Sequence, residues 1–184
     1  MMMDSSSFVA ADSSKCTGCR ACEVACFAEH NGGNLVGCTV GTVEVPVTAR
    51  LYLTRVGKLC MPVQCRHCEN SPCLNSCTAG AIRREGGSIV IEEEACIGCK
   101  NCMMACPFGA IELVPVYREG RSVMQQGDGE QRKTAQKCDL CIKNDRQACV
   151  EACPNQALVL VTPKEDLKEK RRQAAIALAL TKGV

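Results

Sequence analysis

Three short stretches share one hydrophobic pattern. CPFGAIELV, CPNQALVLV and CTAGAIRRE each run from a cysteine through a short turn to Ala and an aliphatic residue. This reads as an internal repeat of one small unit. Between repeats, REGGSIVIEEE predicts a Gly-Gly turn leading into a short strand. Residues 42–57, TVEVPVTARLYLTRVG, are rich in Val, Thr and Leu and predict strand segments interrupted at Pro46. Residues 111–137 predict two strands around QQGDGEQ, a hairpin extension. Beyond Leu160 the period changes. Thr162-Pro163-Lys164-Glu165 is a capping box with proline at the first helical position, so a helix is expected from Pro163 to about Lys182, with Gly183 as its stop. Its first half is charged and its second half, AAIALAL, is apolar nearly all round, which an isolated surface helix would not be. The pattern points to docking on a partner subunit or another copy of the chain rather than packing on the chain's own modules.

Composition changes the picture. The chain has 184 residues, enough for one or two small domains, yet aromatics are only 3 % and Trp is absent. Large side chains therefore supply little of the core, and something else must. Eighteen cysteines are the candidate. Net charge is +2, which implies neither a nucleic-acid nor a membrane field. The N-terminal MMMDSSSFVAADSS shows no secretory or twin-arginine pattern, and the longest apolar run, Ala174 to Leu180, is far below the roughly 20 residues of a span. The expectation is a soluble cytoplasmic protein, where clustered cysteines are metal ligands more often than disulfides.

The cysteines fall into four blocks. Block I is Cys16, Cys19, Cys22 and Cys26; block II is Cys65, Cys68, Cys73 and Cys77. Block III is Cys96, Cys99, Cys102 and Cys106, then Pro107; block IV is Cys138, Cys141, Cys149 and Cys153, then Pro154. Block III matches the run C-x2-C-x2-C-x3-C-P, in which three thiolates wrap one [4Fe–4S] cubane and the fourth ligates a neighbouring cluster. Zinc ribbons use separated C-x2-C pairs instead, and disulfides suit neither the spacing nor the compartment. Sixteen ligands divide into four all-cysteine cubanes, leaving Cys38 and Cys60 as buried small hydrophobes.

A fourth cysteine that ligates the next cluster requires the blocks to pair. Only eighteen residues separate Cys77 from Cys96, against 38 between Cys26 and Cys65 and 31 between Cys106 and Cys138. Blocks II and III thus form one module (60–117), nested in a second made from blocks I and IV (10–59 and 118–162), with a docking helix at 163–182. The expected fold class is α+β: two ferredoxin-like modules, a hairpin insertion and a C-terminal helix. The sequential pairing, I with II and III with IV, is the alternative. Under nesting, the first cluster takes Cys16, Cys19, Cys22 and Cys153, and the second Cys138, Cys141, Cys149 and Cys26. The third takes Cys65, Cys68, Cys73 and Cys106, and the fourth Cys96, Cys99, Cys102 and Cys77.

The motif order, with PVQCRHCENSPC in block II and KCDLC…ACVEACP in block IV, resembles the four-cluster electron-transfer subunits of the dimethyl sulfoxide reductase iron–sulfur family. That family includes small subunits of formate dehydrogenases, formate-linked hydrogenases and hydrogenases associated with carbon monoxide dehydrogenase. The resemblance covers about residues 10–162. It implies two ferredoxin modules with the nested pairing, and redox proteins as partners. Thr78, where the family usually has proline, and Phe27, where bacterial ferredoxins have it, depart from the pattern without removing a ligand.

Four such sites add about −8, turning +2 into about −6. Arg20, Lys100 and Lys143, in or beside the cluster loops, serve either surface solubility or potential tuning. Because metal replaces an aromatic core, the metal-free chain is expected to be largely unfolded. His67, inside CRHC, reads as a loop residue rather than a ligand, and His30 as a turn or surface residue. No catalytic constellation and no nucleotide-binding motif is visible. The insertions read as docking surfaces or as lids over a cluster. The function this leaves is one-electron relay through four [4Fe–4S] clusters between redox subunits of a formate dehydrogenase and/or hydrogenase complex. The alternatives are a free polyferredoxin carrier and an iron–sulfur redox sensor or scaffold.

Overall fold

The computed structural model describes residues 7–31, 45–125, 127, 129–144 and 146–181. Cys38, expected to be a buried thiol, and the helix stop at Gly183 lie outside the described residues.

Strand β1 (Phe8–Ala11) leads through the block I loop into α1 (Ala21–His30). A hairpin follows, β2 (Leu51–Val56) and β3 (Leu59–Gln64), closed by Gly57-Lys58. Gly57 has φ 59°, as the first position of a two-residue hairpin turn requires. Helix α2 (Pro72–Asn75) precedes the hairpin β4 (Ile82–Glu85) and β5 (Ser88–Ile91), whose Gly86-Gly87 turn has φ 55° and 85°. This is the Gly-Gly turn expected from the sequence. Helix α3 (Asn101–Ala105) is followed by β6 (Glu112–Pro115), β7 (Tyr117–Arg118), β8 (Arg121–Ser122) and β9 (Lys133–Gln136). β6 pairs with β9 and β7 with β8, so the expected hairpin extension is present. Helix α4 (Ala148–Glu151), β10 (Leu158–Val161) and α5 (Pro163–Thr181) end the chain.

The first strand pairs with the last. β1 and β10 run antiparallel, from Phe8↔Val161 to Ala11↔Leu158. That pairing gathers Val9, Leu51, Leu140 and Leu158 into one core with Cys22, Cys26 and Cys149. A second core holds Ile82, Ile89, Ile111 and Ala135 with Cys73 and Cys102. Each core is small in aliphatic area, and cysteine fills positions that a larger side chain would take elsewhere. Gln64 Nε2 donates to Val9 O at 2.6 Å, and the Arg66 guanidinium sits 4.7 Å from the centre of the Phe8 ring. Both contacts tie the end of β3 and the start of block II to β1.

Helix α5 begins as its sequence dictates. Thr162 Oγ1 accepts from Glu165 N–H at 3.4 Å, while Glu165 Oε2 accepts from Thr162 N–H at 3.1 Å. This is a reciprocal capping box with Pro163 in the first turn. Residues 167–180 are all exposed on the chain. No helix among the described residues is long and apolar enough to cross a membrane.

Candidate metal centres

The four blocks fold alike. In each, the third cysteine is the second residue of a helix: Cys22 on α1, Cys73 on α2, Cys102 on α3 and Cys149 on α4. The C-x2-C loops before α1 and α3 pass through the left-handed region twice, at Gly18 and Arg20 in block I and at Gly98 and Lys100 in block III. After the last cysteine the chain turns through the left-handed region again, at Gly80, Gly109 and Gln156. The next residue is Ala81, Ala110 or Ala157, each almost wholly buried. Ala110 N–H donates to Cys106 Sγ at 3.4 Å and Ala157 N–H to Cys153 Sγ at 3.2 Å. The repeated alanine is thus a small residue beneath the sulfur, turned so that its amide points at it.

None of the seventeen described cysteines is in a disulfide. Cys16, Cys19, Cys22 and Cys153 line one cleft, and Cys77, Cys96, Cys99 and Cys102 line another. Burial raises Cys68 and Cys73, and charge on Cys65 and Cys106 opposes their ionisation further. Burial likewise raises Cys149, to about 12, with Cys26 and Cys141 adding to it, and Cys138 is raised by burial and by Cys149 and Cys26. The first and fourth spacing-derived sets thus each line a single cleft. Members of blocks I and IV meet, as do members of blocks II and III. Cys60, spare by the count, is buried on β3, and its Sγ would lie 3.0 Å from a Cβ at Gly18.

The donor set fits an iron–sulfur cluster. Backbone amides face three of the sulfurs: Arg50 N–H donates to Cys26 Sγ, His67 N–H to Cys65 and Ala135 N–H to Cys96, each at 3.3 Å. Burial raises the Cys96 thiol, but the Ala135 amide and the Thr134 side chain outweigh it and hold Cys96 below its ordinary value. Elsewhere burial wins, pushing Cys22 and Cys102 up to about 11. Such thiols remain protonated near neutral pH until a metal displaces the proton. A cleft of about 700 Å³ is lined mainly by charged side chains, and of the sixteen block cysteines only Cys141 reaches it.

His30 corrects the sequence reading. It is no turn or surface residue but the last residue of α1, half-buried, with Nε2 3.0 Å from Asp139 Oδ1 and Nδ1 2.8 Å from Cys26 O. Both ring nitrogens face oxygen acceptors, so both carry protons. Burial opposes that charge, but Asp139, Cys141 and Cys26 hold the imidazolium up to about 12. Arg50 Nη1 donates to the other Asp139 oxygen at 2.6 Å. Asp139 and Arg50 were not singled out from sequence; a histidine four residues after a helical cysteine was the available signal. His67 is in a loop, as expected, but fully buried; Ile89 N–H donates to its Nδ1 at 2.9 Å, so Nε2 bears the ring proton. Burial lowers it to about 3.

Residues 56–162 match the 4Fe-4S dicluster domain family. The chain belongs to that family. Electron transport protein HydN of Escherichia coli (strain K12) is 42 % identical over 176 residues, covering 92 % of this chain and 97 % of that protein. An iron-sulfur protein of Rhodospirillum rubrum is 40 % identical over 152 residues, 79 % of this chain and 77 % of its own length. Hydrogenase-4 component A of Escherichia coli (strain K12) is 39 % identical over 194 aligned positions, 91 % and 90 % of the two chains. The chain is a ferredoxin-type 4Fe-4S protein with a role in iron–sulfur electron transfer.

Proposed function

We propose that the chain binds four [4Fe–4S] clusters in two nested ferredoxin modules. It relays single electrons between redox subunits of a cytoplasmic formate dehydrogenase and/or hydrogenase complex. What supports this reading is that Cys16, Cys19, Cys22 and Cys153 line one cleft and Cys77, Cys96, Cys99 and Cys102 another, each with three thiols from one block and one from a second. When bound, a [4Fe–4S] cluster accepts and returns one electron. The chain's own residues hold and insulate that chemistry. Four thiolates would occupy every iron of a cluster, which leaves no position for a substrate. Amides of Arg50, His67, Ala110, Ala135 and Ala157 stabilise sulfur charge without supplying a proton.

Exposure favours two terminals. Cys19 and Cys99 are the exposed cysteines among the described residues. They belong to the first and fourth sets, which we assign as the ends where partners dock, with the second and third sets inside. Exposed Ile97, Met104 and Phe108 flank the Cys99 end. The partners are redox proteins, and α5 docks on one of them or on another copy of the chain. HydN is named an electron transport protein and a second relative a hydrogenase component; both names support a relay subunit over an enzyme.

Anaerobic iron and sulfide analysis tests the cluster count: about sixteen of each per chain is expected for four cubanes. About eight of each would reduce the reading to a single dicluster module. Anaerobic co-purification from the host tests the partners, and a chain recovered alone and fully loaded would favour a free carrier.

A further inference from the structure

Lys137 is a lysine in an unusual place. It is 3 % exposed, and it immediately precedes Cys138 at the start of block IV. Its Nζ donates to Ile89 O and, at 3.0 Å, to Cys138 O. Ile89 belongs to the core built from blocks II and III, whereas Cys138 packs against the other core. The ammonium group therefore sits where the two cores meet. His67 holds the same strand residue through its other backbone group: its Nδ1 accepts the Ile89 N–H.

No carboxylate of the described residues lies within ion-pair distance of Lys137. The nearest acid in sequence, Asp139, is engaged by Arg50 and His30. Lys137 lines the charged cleft that also holds Glu93 and Asp139, yet its Nζ bonds only carbonyls, and a cation this buried needs a nearby counter-charge. Its Ile89 contact places it beside the block II and III core, and its Cys138 contact puts it at the first cysteine of block IV, so it lies between thiols of both modules.

We propose that Lys137 is the positioning charge of the step between the modules. Its counter-charge is the cluster held by Cys65, Cys68, Cys73 and Cys106, together with the one held by Cys138, Cys141, Cys149 and Cys26. This rests on the four-cluster reading above. A cluster that takes one electron from its neighbour gains one negative charge and no proton. A fixed cation between the two inner sites favours that reduced state at both. It keeps the middle of the relay from becoming a barrier to electrons entering at either exposed end.

The test is an EPR-monitored redox titration of the purified full chain, reduced with dithionite, after iron counting of the wild type. Fewer than four clusters in the wild type would sink the relay reading itself. With four present, K137M should lower the electron affinity of the two inner clusters at least tenfold, a downward shift of 59 mV for one electron. The two outer clusters should move less, and K137R should restore the inner potentials. Unchanged potentials in K137M, or equal shifts in all four clusters, would overturn the proposal. If K137M and K137Q fail to load iron at the inner sites while K137R loads fully, the charge is still needed as counter-ion. Failure of K137R alongside them would assign Lys137 to packing and reject its role as a charge.

Discussion

A Cβ placed on Gly98 would lie 2.9 Å from the backbone oxygen of Lys133. Gly98 also has φ 69°, so a side chain there is penalised both by its own backbone and by β9. The contact matters because β9 carries Ala135, whose amide faces Cys96 Sγ. The block III loop and β9 are thus pressed together at a position only glycine fills. Gly98→Ala is expected to displace the loop and lose the set holding Cys96, Cys99, Cys102 and Cys77, about four of about sixteen irons. Gly80→Ala is the control. It shares the positive φ, but its Cβ would meet nothing within 4 Å, so it should cost about 1–2 kcal/mol and no iron. Iron content and the EPR spectrum of each variant decide this.

Gln156 takes the left-handed turn that Gly80 and Gly109 take in the sister repeats, at φ 49°. A residue with a Cβ bears a conformational cost there that glycine avoids, partly offset by glycine's freer unfolded chain. Gln156→Gly should therefore leave the clusters intact and stabilise the native protein by up to about 1 kcal/mol. The rate of absorbance bleaching in denaturant under anaerobic conditions measures it. Faster bleaching in the variant would mean that the Gln156 side chain makes a contribution the turn geometry does not reveal.

What the sequence made legible was local. Cysteine spacing, the Gly-Gly hairpin, the 111–137 extension and the Thr162–Glu165 cap are each written in one continuous stretch, where turn chemistry and hydrophobic period act directly. The pairing of β1 with β10 was not, because two four-residue aliphatic strands carry no mark of their partner. The Arg50–Asp139–His30 network spans 89 and 109 residues of sequence, and its members look like ordinary surface charges one at a time. The amides facing the sulfurs were hidden for another reason: every residue but proline has one, so only the fold shows which are aimed. Lys137 reads as a solvated lysine until its burial is seen.

The pairing of blocks has its own consequence for paired substitutions. Cys153 shares a cleft with the first three cysteines of block I, and Cys77 with the first three of block III. Cys153→Ser and Cys19→Ser should then alter the same EPR signal, while Cys77→Ser and Cys99→Ser alter a different one. The sequential alternative, block I with block II, would instead make Cys77→Ser and Cys19→Ser act on one signal. Spectra of the four single variants at matched reduction distinguish the two arrangements without requiring any partner protein.

Helix α5 presents an apolar half that stays largely exposed among the described residues. Ile176 is 47 % exposed and Leu180 75 %, on a helix whose first half carries its own ion pairs, Lys170–Asp166 and Arg172–Glu169. Those i,i+3 and i,i+4 pairs and the capping box hold the helix together. They do nothing to hide Ala174–Leu180 from water. Burying such a segment against another protein would recover about 25 cal/mol for each Å² removed from solvent, and neither core loses anything if the helix is absent. A chain ending at Val161 should therefore keep its full iron content and both exposed terminals. Its association with partner subunits, or with itself, should weaken at least tenfold in anaerobic sedimentation or pull-down. The double substitution Ile176→Glu and Leu180→Glu should reproduce that loss with helicity intact by circular dichroism. If truncation instead removes clusters while association is unchanged, α5 packs on its own modules in solution, and the docking role belongs elsewhere.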